Sequence, residues 1–212
     1  MTDTLDFAAP RPVDLTRRRM ETLSPLLEET WRYWSSLRPD GGVPFRSAVE
    51  PAAMSLILGH AMILDRIRPG MVRVRIGGRA MSDLMGMEVR GLPVRAFFEI
   101  DQRGRATDLF ERVFTEPATL ELDLACGVAG GAVRGRMLVL PLRDRDGLVT
   151  KALTCLAADR ARAEPPNRFR IRNATLSPVA AASDPGRGLR AGATDGAAAA
   201  RPSPRPYLRV VK

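Results

Sequence analysis

Residues 120–157 read LELDLACGVAGGAVRGRMLVLPLRDRDGLVTKALTCLA, and three strands joined by two turns are legible in them. Leu120, Leu122, Leu124 and Cys126 alternate with Glu121 and Asp123, the period of a strand with one buried and one wet face. Gly127, Gly130, Gly131 and Gly135 form a connection, residues 137–142 a second strand, Asp146-Gly147 a turn, and residues 148–157 a third strand. Such spacing predicts an antiparallel meander.

Upstream of it the period changes. Ala106, Leu109, Phe110, Val113 and Phe114 follow steps of three and four, which predicts an amphipathic helix stopped by Pro117. Residues 79–85 read as a short helix closed by Gly86, with another turn at Gly91. Residues 61–67 and 71–76 read as two strands around Pro69-Gly70, and Val72, Val74 and Ile76 alternate there with Arg73 and Arg75. A further short helix is expected over residues 52–58, with Pro51 at its first position and Gly59 as its cap. Helices grouped between two sets of strands imply an α+β fold, an antiparallel sheet with helices on one face.

An amphipathic helix over residues 21–38 precedes all of this and carries both tryptophans, Trp31 and Trp34. Glu28 and Glu29 precede Arg32 on what should be its solvated side. Beyond the meander, residues 160–179 contribute an extra edge strand, with Arg168, Arg170 and Arg172 on one face. Residues 1–20 read as a flexible arm and residues 21–159 as the folded domain. Residues 180–212, rich in Ala, Gly, Pro and Arg, read as a disordered tail. Its last six residues, Tyr207 to Lys212, regain the look of a strand or short motif.

The chain of 212 residues carries 33 basic and 24 acidic residues, and the excess is unevenly placed. Residues 1–159 hold 22 basic and 21 acidic residues, while residues 160–212 hold 11 and 3. Residues 1–159 are therefore nearly neutral at +1, and the net +9 belongs mostly to the last quarter. An aromatic content of 5% leaves little for a base-stacking platform. Two cysteines and one histidine are too few for a structural metal cluster and make no disulfide framework. With no long apolar run and no signal-peptide pattern, a cytoplasmic protein is expected.

The order of elements resembles a PAS domain, and in detail it is similar to one bacterial PAS-type family whose members open with a tryptophan-bearing helix. The matching residues are Tyr33-Trp34, Leu37-Arg38, Gly42, Pro44, Arg46 and Pro51 before the first strand. Arg75, Gly78, Gly86 and Gly91 match the strand-to-helix region, and Leu140-Pro141-Leu142 with Asp146-Gly147 the last hairpin. The resemblance covers about residues 25–157. It implies a five-stranded sheet with helices over one face, serving as a sensory or signalling module that often holds a small ligand or partner between them. A haem-binding member would carry a histidine on the helix at residues 106–114, and a flavin photoreceptor a cysteine in an Asn-Cys-Arg context. His60 precedes the first strand and Cys126 and Cys155 lie on late strands, so neither cofactor is expected, nor is a metal.

Enzyme signatures are missing too: the glycine-rich connection lacks Gly-Lys-Ser/Thr, and no Gly-x-Ser-x-Gly elbow is present. No catalytic residues are assigned. Met81, Leu84, Met85, Phe97, Phe98 and Leu109 are the candidates to line a pocket between helices and sheet, the alternative being that they are simply core. Leu23, Leu27, Trp31 and Trp34 are the candidates for a partner-binding helix face, docked either on their own sheet or across a homodimer. The expected function is signalling through homodimerisation and a partner regulator such as a sensor kinase, with a small ligand as a candidate gate. The competing expectation is an arginine-rich adaptor that binds nucleic acid or anionic membrane through its C-terminal quarter.

Overall fold

A computed structural model describes residues 25–38, 40–127, 133–158 and 165–179. Leu23, the arm of residues 1–20, most of the glycine-rich connection and the tail of residues 180–212 lie outside the described residues.

Among the described residues, the sheet has six antiparallel strands in the order β2-β1-β5-β4-β3-β6. They are β1 (Ala61–Arg68), β2 (Met71–Gly77), β3 (Ala118–Cys126), β4 (Val133–Arg143), β5 (Val149–Ala158) and β6 (Arg170–Pro178). The meander forms β3–β4–β5, with Leu122 opposite Met137 and Leu140 opposite Leu153. Gly147, at φ 81, turns the β4–β5 hairpin in a backbone conformation that other residues adopt only with strain. The five strands implied by the resemblance become six because β6 pairs along β3 from Ala118 to Ala125.

Helices α2 (Arg79–Met85) and α3 (Arg103–Thr115) cover the inner face, with 3₁₀ turns at Val94–Phe97 and Ile100–Gln102 between them. Gly86 closes α2 in the left-handed conformation at φ 69. Ala106, Phe110, Val113 and Phe114 of α3 are buried, as their spacing requires. The helix expected over residues 52–58 is instead a single 3₁₀ turn, Pro51–Met54, followed by further turns. In that run only Met54 and Ile57 are buried while Leu56 and Leu58 stay exposed, so no continuous helical stripe exists to pack.

Helix α1 (Pro25–Ser36) lies on the opposite, outer face. Strand β4 is therefore buried on both sides from Met137 to Leu142, which is why its run MLVLPL does not alternate. The pairing with β3 ends at Val139, so Pro141 sits where β4 has an open flank and proline is tolerated.

Before entering β6 the chain straps across the helical layer. Asn167 is fully buried and donates both its backbone N–H (2.9 Å) and its side-chain amide (2.8 Å) to the Leu84 carbonyl. Phe169 donates its N–H to the Phe97 carbonyl at 2.8 Å and accepts from Glu99 N–H at 3.0 Å. Of the three arginines expected to share one face, Arg170 is engaged by Glu99 at 2.6 Å and Asp101 at 2.9 Å. It is thus part of the attachment of β6 to the helical layer and not of a free basic stripe.

Candidate functional site on the outer sheet face

The six residues named as pocket candidates all belong to the inner core or pack against it. Met81, Leu84, Met85, Phe97 and Phe98 are all buried in the inner core, and Leu109 is half-buried against it. Phe98 meets Phe110 edge-on with ring centroids 6.1 Å apart. Met81 and Leu84 also border a cavity of about 160 Å³ beside His60, and the other four do not line it. His60 points Nδ1 at the Leu156 carbonyl, 3.3 Å away, at the start of β1. Cys126 and Cys155 are free and buried, and burial pushes the Cys155 thiol up to about 11, the state of an unreactive thiol. Among the described residues no group of three or more His, Cys, Asp and Glu is placed to hold a metal ion.

The outer face is built differently. Leu27, Thr30 and Trp34 recur at steps of three and four along α1 and form its buried stripe. Leu27 and Trp34 pack with Leu138, Leu140, Leu142 and Leu153 of the same chain. Trp34 is fully buried and donates its indole N–H to the Pro141 carbonyl at 3.0 Å. The Arg38 guanidinium lies 4.2 Å from the Trp34 ring centroid and donates to the carbonyls of Gly41 and Gly42. Trp31 is half-buried, its ring 5.6 Å from that of Trp34. On the solvated side Arg32 pairs with Glu28 and Glu29, as the sequence spacing anticipates.

Helix α1 covers β4 and β5 but leaves the β1–β2 end of the outer face open. Two adjoining hollows occupy that end, and Arg46, Ile63 and Ile76 line both. The first, of about 410 Å³, is apolar, with Met54, Leu58, Ile63 and Ile76 along it and Gly77-Gly78 at one end. The second, of about 670 Å³, is charged and is bordered by Asp65, Arg75, Asp144, Arg145, Asp146 and Lys151. Lys151 is committed to Asp65 at 3.0 Å. Asp144 accepts the Thr150 hydroxyl at 2.6 Å and the N–H groups of Asp146 and Leu148 at 3.0 Å each. Its carboxyl is held below the usual carboxylate range, chiefly by the Thr150 hydroxyl. Arg75 and Arg145 enter no salt bridge among the described residues, and Arg46 donates only to the Val49 carbonyl at 3.2 Å.

A link between α1 and this trough escaped the sequence reading. The Tyr33 hydroxyl accepts the Glu50 N–H at 2.8 Å, and Glu50 is the residue from which the Pro51–Met54 turn starts. Nothing in the sequence pairs two residues 17 positions apart across a loop. The Tyr33-Trp34 pair was visible as a motif, and the structure shows its division of labour: Trp34 holds the sheet and Tyr33 holds the wall of the trough.

A family described as a PAS domain matches residues 22–157. Two similar solved structures are the light-state and dark-state forms of the blue-light photoreceptor Aureochrome1 LOV, both 18% identical with a TM-score of 0.39. Each covers 51% of this chain, and the matches span 87% and 81% of those chains. No curated protein sequence matches. The family match takes in more than half of the chain, running from the tryptophan helix through the last strand of the meander, and the chain belongs to the PAS domain family.

Proposed function

We propose that this PAS-type sensory and signalling domain works by binding and not by catalysis, through homodimerisation and contact with a partner regulator such as a sensor kinase. The observation that carries this reading is the placement of α1. It lies apart from the helical layer, on the other side of the sheet, and is seated mainly by Leu27 and Trp34. An element held by one apolar stripe, the Trp34 indole hydrogen bond and the Tyr33 hydrogen bond to Glu50 has two natural states, seated and released, and a ligand or partner can bias them.

Seating α1 on its own sheet uses Leu27 and Trp34 internally, so the dimer is formed by exchange. Two released helices each seat on the other copy's outer face and recover the same contacts, a route to dimers that requires no new interface. Light scattering after gel filtration tests it. The wild-type chain gives a dimer mass that falls towards monomer on dilution, and Trp34→Ala gives monomer throughout. A wild type that is monomeric at every concentration overturns the dimer.

A further inference from the structure

We propose that the open trough at the β1–β2 end of the outer face binds a free, single-chain anionic amphiphile: one carboxylate or phosphate head on an unbranched apolar tail. The head sits at Arg46, Arg75 and Arg145, and the tail lies along Met54, Leu58 and Ile76.

The trough is divided into an apolar and a charged part. Its apolar part, about 410 Å³, falls within the range of about 300–1,000 Å³ common for small-molecule sites. Leu58 and Ile76 leave 45% and 44% of their surface in water there, side by side with buried Met54 and Ile63. The charged part begins where the apolar part ends, at the shared residues Arg46, Ile63 and Ile76. Lys151 is already neutralised by Asp65, whereas Arg75 and Arg145 have no carboxylate partner among the described residues. An apolar channel that opens onto uncommitted guanidinium groups matches a molecule with the same two halves, since a guanidinium binds a carboxylate or phosphate through paired N–H donors.

Charge also decides between occupants. A membrane surface presents many anionic heads at once, and Asp144 and Asp146 beside the arginines repel such an array while leaving room for one head.

The site has a route to α1. Seating a tail against Met54 bears on the Pro51–Met54 turn, and the Tyr33 hydroxyl ties the start of that turn to α1. This coupling, unlike the binding itself, rests on α1 being the moving element of the signalling reading.

Calorimetry on the full chain tests the binding, with dodecanoate and monododecyl phosphate as probes below their micellar concentrations. At least one anion binds with micromolar affinity, and dodecanol and dodecyltrimethylammonium bind about tenfold more weakly or worse. Ile76→Asp and Arg75→Glu each weaken the anion by about tenfold or more, and because both positions are exposed the thermal midpoint stays at the wild-type value. Equal binding of dodecanol, unchanged affinity in both variants, or sedimentation with phosphatidylglycerol vesicles without binding of either free anion overturns the proposal. Trp31 and Trp34 are the only tryptophans, so their emission reports α1 separately. Binding with unchanged emission keeps the site and overturns the switch.

Discussion

Glu111 engages both of its carboxylate oxygens. It accepts from the Arg66 guanidinium, whose Nε is 3.0 and 3.2 Å from the two oxygens, and from the Gly70 N–H at 3.1 Å. One side chain of α3 thereby clamps the end of β1 and the β1–β2 turn. The Arg66 hydrogen bond is the largest influence on the Glu111 carboxyl and holds it below its ordinary value of 4.5, against the opposing effect of burial. A carboxyl with a depressed folded-state pKa contributes stability that is full above the unfolded value. That contribution is lost as pH falls from about 4.5 through the lower folded value. Both side chains are about four-fifths covered, so the clamp is expected to contribute about 1 kcal/mol. Urea unfolding of wild type and Glu111→Gln should therefore differ by about that amount at pH 7 and converge as pH drops below 4.5. A gap that stays constant down to acid pH would show that Glu111 acts by packing alone. None of this was legible in the sequence. The partners lie 45 residues apart, and a charged residue on a helix looks the same whether it faces water or an arginine.

At the scale of elements the sequence was far more informative, because periodicity reports which side of an element is buried. Strand β3, helix α3 and the Gly86 closure of α2 all follow from spacing, whereas in β2 the alternation holds only through Val74: an irregularity in the pairing with β1 puts Ile76, expected on the buried face, in the open. Residues 52–58 misled because an apolar run without a stripe has no periodicity to read, and it settled as turns along the sheet. Helix α1 lies between these cases: its stripe was visible and the surface under it was not. The structure supplies that surface, and with it a sharp expectation. Trp34→Phe retains a large ring but removes the indole donor, leaving the Pro141 carbonyl without that partner in a buried place, at about 1–3 kcal/mol. Amide exchange across residues 25–38 should accelerate accordingly while α3 stays as protected as in the wild type. Equal acceleration in α3 would mean that α1 and the domain open together, and the seated and released states of α1 would then not exist separately.

For the whole molecule, charge and fold divide the chain in different ways. The inner core and the six-stranded sheet belong to a nearly neutral body, and residues 180–212 add six basic and two acidic residues, a net of +4. A polyanion such as duplex DNA is held by many phosphate contacts made together, with affinity that falls steeply as salt rises. On the body those contacts are broken up. Arg170 is engaged by Glu99 and Asp101, and Arg75 and Arg145 stand among Asp65, Asp144 and Asp146. Such an arrangement suits one small anion and disfavours a continuous strand of phosphates. A chain ending at Val179 should therefore fail to shift duplex DNA even at about 50 mM salt, and any shift given by the full chain should vanish with the deletion. The shortened chain keeps Val179, which packs against the outer-face cluster. If the shortened chain binds DNA with the full chain's salt dependence, the contact lies on Arg168, Arg172 or the trough arginines, and the body is a polyanion surface after all.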